Sequence, residues 1–161
     1  MLGAAVRTQQ GLSLIELLMV VAITAVLAGV AIPSYSNALI SSKVTTAANL
    51  VSQDLNFAKY QALRRNGQPL YLTLKNGALC LSSPANPNTC DIRNDLISSS
   101  VALTMVDATN PGTAVSQITF DSIYGLPNQA VQFNISATNG AYTKRKTITL
   151  NTIGLIKTVS S

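Results

Sequence analysis

The feature that most constrains this chain is an apolar run of 21 residues, Leu12 to Ile32, in which Glu16 is the only charged side chain. As an α-helix this run would be about 31 Å long, which is enough to cross the hydrocarbon core of a bilayer. A carboxylate in such a helix costs roughly 2.5–3.5 kcal/mol at the bilayer centre and less near one end. We therefore predict a membrane-spanning segment over residues 12–33 in which Glu16 is functional and has a partner.

Two other interpretations of the run need no partner for Glu16. A secretory signal peptide would use Arg7 as its basic start and Gly29-Val30-Ala31 as its cleavage site, so that the mature chain begins at Ile32. Signal peptides usually have a shorter apolar core without an acid, which counts against this interpretation. A plain membrane anchor would merely hold Glu16 near the lipid headgroups.

The start of the run resembles the processing site of type IV pilins and of the pseudopilins of type II secretion. The resemblance rests on Gly11, followed by Leu12-Ser13-Leu14-Ile15-Glu16. It implies that prepilin peptidase cleaves after Gly11, so that residues 1–11 are a leader peptide, and that the new Leu12 amine is N-methylated. Leu12 stands where phenylalanine is usual. Pro33 stands where many pilins have a proline that bends the helix.

Glu16 has a candidate partner in such a protein. After cleavage, the positive Leu12 amine would lie in lipid one turn from Glu16, and the helix N-terminus adds partial positive charge. In a filament, Glu16 of one subunit can neutralise the Leu12 amine of its neighbour and so set the axial register, because an unpaired buried charge is strongly unfavourable. We expect the partners to be other pilins or pseudopilins, prepilin peptidase and the assembly machinery. The expected location is the bacterial inner membrane, with the head in the periplasm, and then a pilus or pseudopilus.

The composition argues against an enzyme. The chain has no histidine, so a Ser-His-Asp triad and most zinc sites are unavailable. The acids after the apolar run are Asp54, Asp91, Asp95, Asp107 and Asp121. They form no recognisable acid–base pair, and we expect Asp91 and Asp95 to lie in a solvated loop. We predict that the protein is not an enzyme and has no metal site and no cofactor.

The two cysteines, Cys80 and Cys90, flank a stretch rich in Pro and Asn. In an exported chain this arrangement favours a disulfide with a structural role. The alternative is a pair of reduced, buried thiols. A metal site would need more ligands than these two side chains supply.

The helix is expected to continue past Pro33, which should bend it rather than end it. Apolar residues at intervals of four and three predict an amphipathic segment over residues 34–66; they are Val44, Ala48, Val51, Leu55, Ala58 and Ala62. Lys43, Asp54 and Lys59 fall outside this stripe.

From residue 67 the pattern changes to alternation, and Asn76-Gly77 is a strong hairpin signal. The strand candidates cover residues 70–74, 78–81, 101–106, 115–120, 131–135, 146–151 and 155–159. We predict an α+β, pilin-like fold, in which an antiparallel sheet over residues 67–161 packs on the amphipathic helix.

A finer resemblance is to the FimT/GspH family. It rests on the helix end Phe57-Ala58-Lys59-Tyr60-Gln61-Ala62, with Lys59 where arginine is usual, and on Phe120 followed by Gly125 and, later, Gly154. The resemblance implies a minor pilin of a type IV pilus, helping assembly, or the minor pseudopilin H of type II secretion.

The resemblance also implies DNA binding by this chain, because some FimT-like pilins are thought to bind DNA through a basic C-terminal Gly-Arg-x-Arg pattern. The corresponding stretch here is Gly154-Leu155-Ile156-Lys157, and Lys144, Arg145 and Lys146 lie nearby in the sequence. A hairpin that turns at residues 152–154 would place Lys157 opposite Thr149. Lys144, Arg145, Lys146 and Lys157 could then contact phosphates without reading bases. The alternative is an ordinary solvated strand end.

Overall fold

The computed structural model describes residues 13–65, 67–86 and 89–160. These residues belong to two compact units, divided between Ser36 and Asn37. A single helix, α1 (Leu14–Leu63), supplies most of the first unit and the beginning of the second. The predicted processing site, Gly11 and Leu12, lies outside the described residues. The predicted boundaries at residues 11, 33 and 66 stay predictions.

The first unit, here called the stem, consists of Ser13 and the first part of α1. The backbone N–H groups of Glu16 and Leu17 donate to the Ser13 carbonyl oxygen, at 3.0 and 3.1 Å, so the helix starts directly after Ser13. Pro33 lies inside the helix and does not end it, and the bend expected there stays a prediction. By length and composition, α1 contains a segment apolar enough to cross a membrane.

The second unit, here called the head, contains the remainder of α1 and eight strands. The strands are β1 (Leu70–Lys75), β2 (Ala78–Ser82), β3 (Arg93–Leu96), β4 (Ala102–Asp107), β5 (Gln117–Phe120), β6 (Val131–Asn139), β7 (Tyr142–Leu150) and β8 (Ile156–Ser160). They form two four-stranded antiparallel sheets, ordered β3-β2-β1-β5 and β4-β6-β7-β8. The α+β class is as predicted, but there are two sheets where a single sheet was expected.

The core of the head is formed by one face of α1 and by alternate residues of the strands. All six residues of the predicted helix stripe are at most 2 % exposed, and they belong to the same cluster as Phe120, Phe133 and Ile148. The polar residues between the buried positions of β6 face away from the core. Burying one face of each element is what the alternating sequence pattern requires.

The turns lie at the predicted residues. Asn76 and Gly77 both have positive φ, 50° and 75°, which fits the two-residue hairpin that joins β1 to β2. Gly154 lies in the turn between β7 and β8, and Thr149 pairs with Lys157 as expected.

Strand β3 was not predicted, because Arg93-Asn94-Asp95-Leu96 lacks the apolar alternation that indicates a strand. It pairs with β2, from Ala78 opposite Leu96 to Leu81 opposite Arg93. The expectation that Asp95 lies in a solvated loop is therefore wrong. Asp91 does precede the strand and is exposed.

Candidate functional site

The stem exposes an almost continuous apolar surface. Its exposed large side chains include Leu14 (76 %), Val26 (71 %) and Ile32 (68 %), and none of the most apolar 18-residue window is buried within the protein. A surface of this size on a single helix calls for lipid or for other helices as its surroundings. Glu16 is exposed on the same helix and is the acid of its first turn.

Ser13 and Glu16 have the spacing of a helix capping box, which was not among the sequence-based predictions. Ser13 directly precedes the first helical residue, and Glu16 is the third residue of the helix. At these positions the two side chains can satisfy free N–H groups of the first turn, and the carboxylate is favoured by the helix dipole. Glu16 is therefore positioned for a local role in starting α1, in addition to the intermolecular role predicted for it.

In the head, the three segments that carried the FimT/GspH resemblance meet at Lys59. The Lys59 Nζ atom donates to the Gly154 carbonyl oxygen at 2.7 Å. A Cβ atom placed on Gly125 would lie 2.8 Å from the Lys59 carbonyl oxygen and 3.0 Å from Leu63 Cγ. Lys59 thus bonds one loop and closely approaches a second at the end of α1, and the apolar stripe of the helix gave no reason to expect this.

The four predicted DNA-binding residues do not form one patch. Arg145 shares the outer face of its sheet with Thr147 and Thr149, and Thr149 pairs with Lys157, so Arg145 and Lys157 lie on the same face. Lys144 and Lys146 lie on the opposite face, in line with the buried Ile148 and Leu150. The sheet therefore separates the four cations into two pairs.

Asp54 is also buried, and its burial was not predicted from the sequence. Although this residue falls outside the apolar stripe, its side chain is 0 % exposed. Its Oδ1 atom lies 3.0 Å from Arg93 Nε, which in turn donates to Asp95 Oδ2 at 2.6 Å. The Arg93 guanidinium also lies 5.1 Å from the centroid of the Phe57 ring. Among the described residues, no group makes a hydrogen bond of acceptable geometry to either carboxyl oxygen of Asp54.

This cluster shifts the protonation of its two acids in opposite directions. Burial raises the pKa of Asp54 from 3.8 to about 7, and the neighbouring Asp95 carboxyl adds to the rise, while Arg93 opposes it. The hydrogen bond from Arg93 lowers the pKa of Asp95. The two carboxyls meet at the same nitrogen, Arg93 Nε, which lies 3.0 Å from Asp54 Oδ1 and 2.6 Å from Asp95 Oδ2. No acid pair was predicted from the sequence, because the partners lie on different elements, 41 positions apart in the chain.

The other aspartates of the head cap turns. Asp91 accepts hydrogen bonds from the backbone N–H and the hydroxyl of Ser83, and the hydroxyl bond lowers the pKa of Asp91. Asp107 accepts from the Thr109 backbone, and Asp121 from the Tyr124 backbone.

Cys80 and Cys90 are joined by a disulfide, as expected for an exported chain. Within the described part of the chain, no group of three or more His, Cys, Asp or Glu residues is placed to hold a metal ion.

The apolar stem and the helix-backed α+β head together define a pilin-like protein. A family model described as the prokaryotic N-terminal methylation motif matches residues 6–32, and one described as type II transport protein GspH matches residues 47–154. Since the second match covers more than half of the chain, the protein belongs to the type IV pilin-like GspH/FimT family. No curated protein and no solved structure matches the chain.

Membership defines the protein coarsely as a structural pilin or pseudopilin of the type IV pilus and type II secretion systems. Such a subunit interacts with other pilins and undergoes prepilin processing, and its N-terminal helix anchors it in the inner membrane before assembly. The methylation-motif match spans the apolar run and supports processing as a prepilin over cleavage as a secretory signal peptide.

Proposed function

We propose that the protein is a minor subunit of a type IV pilus, which helps filament assembly. The stem stores the subunit in the inner membrane, and the head lies in the periplasm until prepilin peptidase and the assembly machinery have processed and incorporated it. The observation that carries the proposal is Glu16, the only charge in the exposed apolar run of the stem. An acid is costly in that setting unless a positive group of another subunit meets it.

Incorporation exchanges the lipid around the stem for the stems of neighbouring subunits. The exchange is nearly neutral for the apolar side chains, because lipid tails are about as apolar as leucine. Glu16 differs, since it gains a partner only where a neighbour's Leu12 amine lies opposite. The pairing of Glu16 with that amine would therefore select one docking position among many in which the apolar contacts are equivalent.

The test is to replace Glu16 and measure incorporation. In Glu16→Gln the shape is kept and the charge is lost, so we expect the subunit to accumulate in the membrane and to be absent from sheared filaments. In Glu16→Asp the charge is kept, and we expect partial incorporation. Immunoblots of the filament and membrane fractions give the ratio. Equal incorporation of Glu16→Gln and the unaltered protein would show that Glu16 does not direct docking.

A second candidate is the minor pseudopilin of the GspH type in type II secretion, and the description of the matched family favours it. The two candidates differ in what the cell loses with the gene. Loss of surface pili with normal protein secretion supports the pilus role, whereas loss of protein secretion with normal pili supports the pseudopilin role. Restoration by the gene in trans is the control.

A further candidate activity is DNA contact during uptake, for which the outer face of the second sheet offers one observation. Within the described residues, β6, β7 and β8 carry four cations and no acid, and Arg145 and Lys157 lie on the solvent face beside Asn134 and Ser136. Arg145 and Lys157 are about 14 Å apart along the strand direction, because Lys157 pairs with Thr149, four residues further along β7. A face of this kind suits phosphate contacts and has no means of reading bases.

The two pairs of cations supply their own control for a DNA-binding measurement. Arg145→Ala/Lys157→Ala and Lys144→Ala/Lys146→Ala remove the same charge from opposite faces. If the outer face binds, only the first variant should weaken binding of a short duplex by the full chain in detergent, and its log–log salt slope should fall by about 1.8. Equal effects of the two variants, or no binding near about 50 mM salt, would rule out the outer face.

A further inference from the structure

Residues 93–100 lie along one side of α1 in the head, and we call this segment the strap. At one end Arg93 contacts Asp54, and at the other end the Lys43 Nζ atom donates to the Ser100 hydroxyl at 3.2 Å. Between these contacts is a groove of about 150 Å³, lined by Ser42, Lys43, Thr46, Ala47 and Leu50 of the helix and by Ile97 and Ser98 of the strap. The strap therefore contacts α1 at both ends, and between them Ile97 packs against the core beside the groove.

The sheet holds the strap along one edge only, through the pairing of β3 with β2 and the bond from the Ile97 N–H to the Gly77 carbonyl oxygen at 3.2 Å. Its strand, β3, has only four residues and lies at the edge of its sheet, with β2 as its one neighbour. An edge strand leaves one row of its N–H and C=O groups without a partner in the sheet. The contact between Arg93 and the buried Asp54 is consequently important for keeping the strap on the helix.

We propose that Asp54, Arg93 and Asp95 form a proton-operated latch: a single proton shared by the two carboxyls holds the strap on α1, and loss of that proton loosens it. With the proton present, one carboxylate balances Arg93, and the protonated acid can donate to the other carboxyl. Without it, two carboxylates face one guanidinium, and one of them is fully buried. A buried charge without full compensation is strongly destabilising.

The charges that act on Asp54 are those of Arg93 and Asp95, both on β3. Because the pKa of Asp54 in the folded protein is raised from 3.8 to about 7, its contribution to stability is complete below 3.8 and is lost as the pH rises through about 7. The pKa of Asp95 is lowered, so its contribution is present above the ordinary aspartate value and is lost only in stronger acid. The latch is therefore fully closed only in acid; it weakens as the pH rises above the ordinary aspartate value and weakens no further once the pH has passed about 7.

Opening of the strap uncovers the groove side of α1. The surface released includes Ala47, which is buried, and Leu50, which is half-buried. The disulfide is also affected, because Cys80 of β2 pairs with Asn94 of the strap. A change of one proton at Asp54 thus alters the exposure of both a helix face and the region around the disulfide.

Hydrogen exchange of the full chain in detergent tests the latch. The protection of amides in the strap, corrected for the intrinsic pH dependence of exchange, should fall about tenfold between about pH 6 and about pH 8.5. Protection of β6, in the other sheet, should stay unchanged. Asp54→Asn mimics the protonated acid, so it should keep the strap protected at both pH values. Asp121→Asn, an exposed acid in another loop, is the matched control and should respond like the unaltered protein.

The inference is wrong if the strap of Asp54→Asn loses protection with pH as much as the unaltered strap does. A fall in protection that is equal in the strap and in β6 also overturns it, since it would indicate global unfolding. Asp95→Asn serves as a second variant that does not touch the buried position. It removes the carboxyl that repels Asp54 but leaves Asp54 buried, so the loss of strap protection over this pH range should become smaller than in the unaltered protein, and an unchanged loss would show that the two carboxyls share no proton.

Discussion

Lys59 shows how a single residue can contact distant parts of the chain, one through its side chain and one through its backbone. It donates to the backbone of Gly154, 95 positions away, and its own carbonyl oxygen lies directly under Gly125. Both glycines are buried and have positive φ, 77° and 64°. The sequence identified these residues only as fragments of a family pattern. That they share one contact depends on how the loops close, which local periodicity does not report.

We expect Gly125→Ala to destabilise the head more than Gly140→Ala does. Both positions have positive φ, which costs a residue with a Cβ atom roughly 1 kcal/mol. A Cβ at Gly125 also meets the Lys59 carbonyl oxygen at 2.8 Å, whereas one at Gly140 meets nothing within 4 Å. The expected losses in the free energy of unfolding are about 2–4 and about 1 kcal/mol. Urea unfolding of the two variants measures them, and equal losses would show that the contact at Gly125 is unimportant.

At the scale of elements, the correct predictions are those that depend on periodicity and turn chemistry. The amphipathic half of α1 and the hairpin at Asn76-Gly77 were predicted correctly, because their signals are local. Strand β3 was missed, since its residues are polar and it is fixed by long-range pairing and by the contact of Arg93 with Asp54. The division of the strands into two sheets was missed for the same reason, as no local pattern states which strand pairs with which.

The disulfide between β2 and the segment before β3 should stabilise the head measurably. Cys80 and Cys90 are 10 positions apart, and closing a loop of that length in the unfolded chain is worth roughly 2.5–3 kcal/mol in the chain-entropy model. Cys80→Ala/Cys90→Ala should lose about that much, as measured by urea unfolding. A reductant should destabilise the unaltered protein to a similar degree and leave the double variant unaffected. If the reductant changes neither protein, the bridge contributes no stability.

At the scale of the whole molecule, the chain combines two units with opposite requirements. The head buries a core of apolar residues within itself, whereas the most apolar part of the stem buries none of its own. The sequence predicted this contrast from a single feature, the apolar run with one acid. Where the mature chain begins was predicted only by resemblance, since neither helix geometry nor hydropathy marks the bond after Gly11.

Co-expression with prepilin peptidase should shorten the chain to a protein that begins at a methylated Leu12. The reason is the processing motif at Gly11, whose surrounding residues 6–32 match the methylation-motif family. N-terminal sequencing and intact mass measure the product. Gly11→Ala is the control and should remain unprocessed. A chain that keeps its first eleven residues beside active peptidase would contradict the prediction, and one that begins at Ile32 would support a secretory signal instead.

The exposed apolar surface of the stem determines how subunits can reach a filament. Its dozen large apolar side chains would cost on the order of 20 kcal/mol to expose to water. Subunits between synthesis and polymerisation therefore have no route through the aqueous phase. They reach a filament only by lateral diffusion in the bilayer plane. The rate at which they are captured then depends on their number per unit of membrane area. Subunits of different abundance therefore compete through their surface densities in the membrane and not through their concentrations in solution.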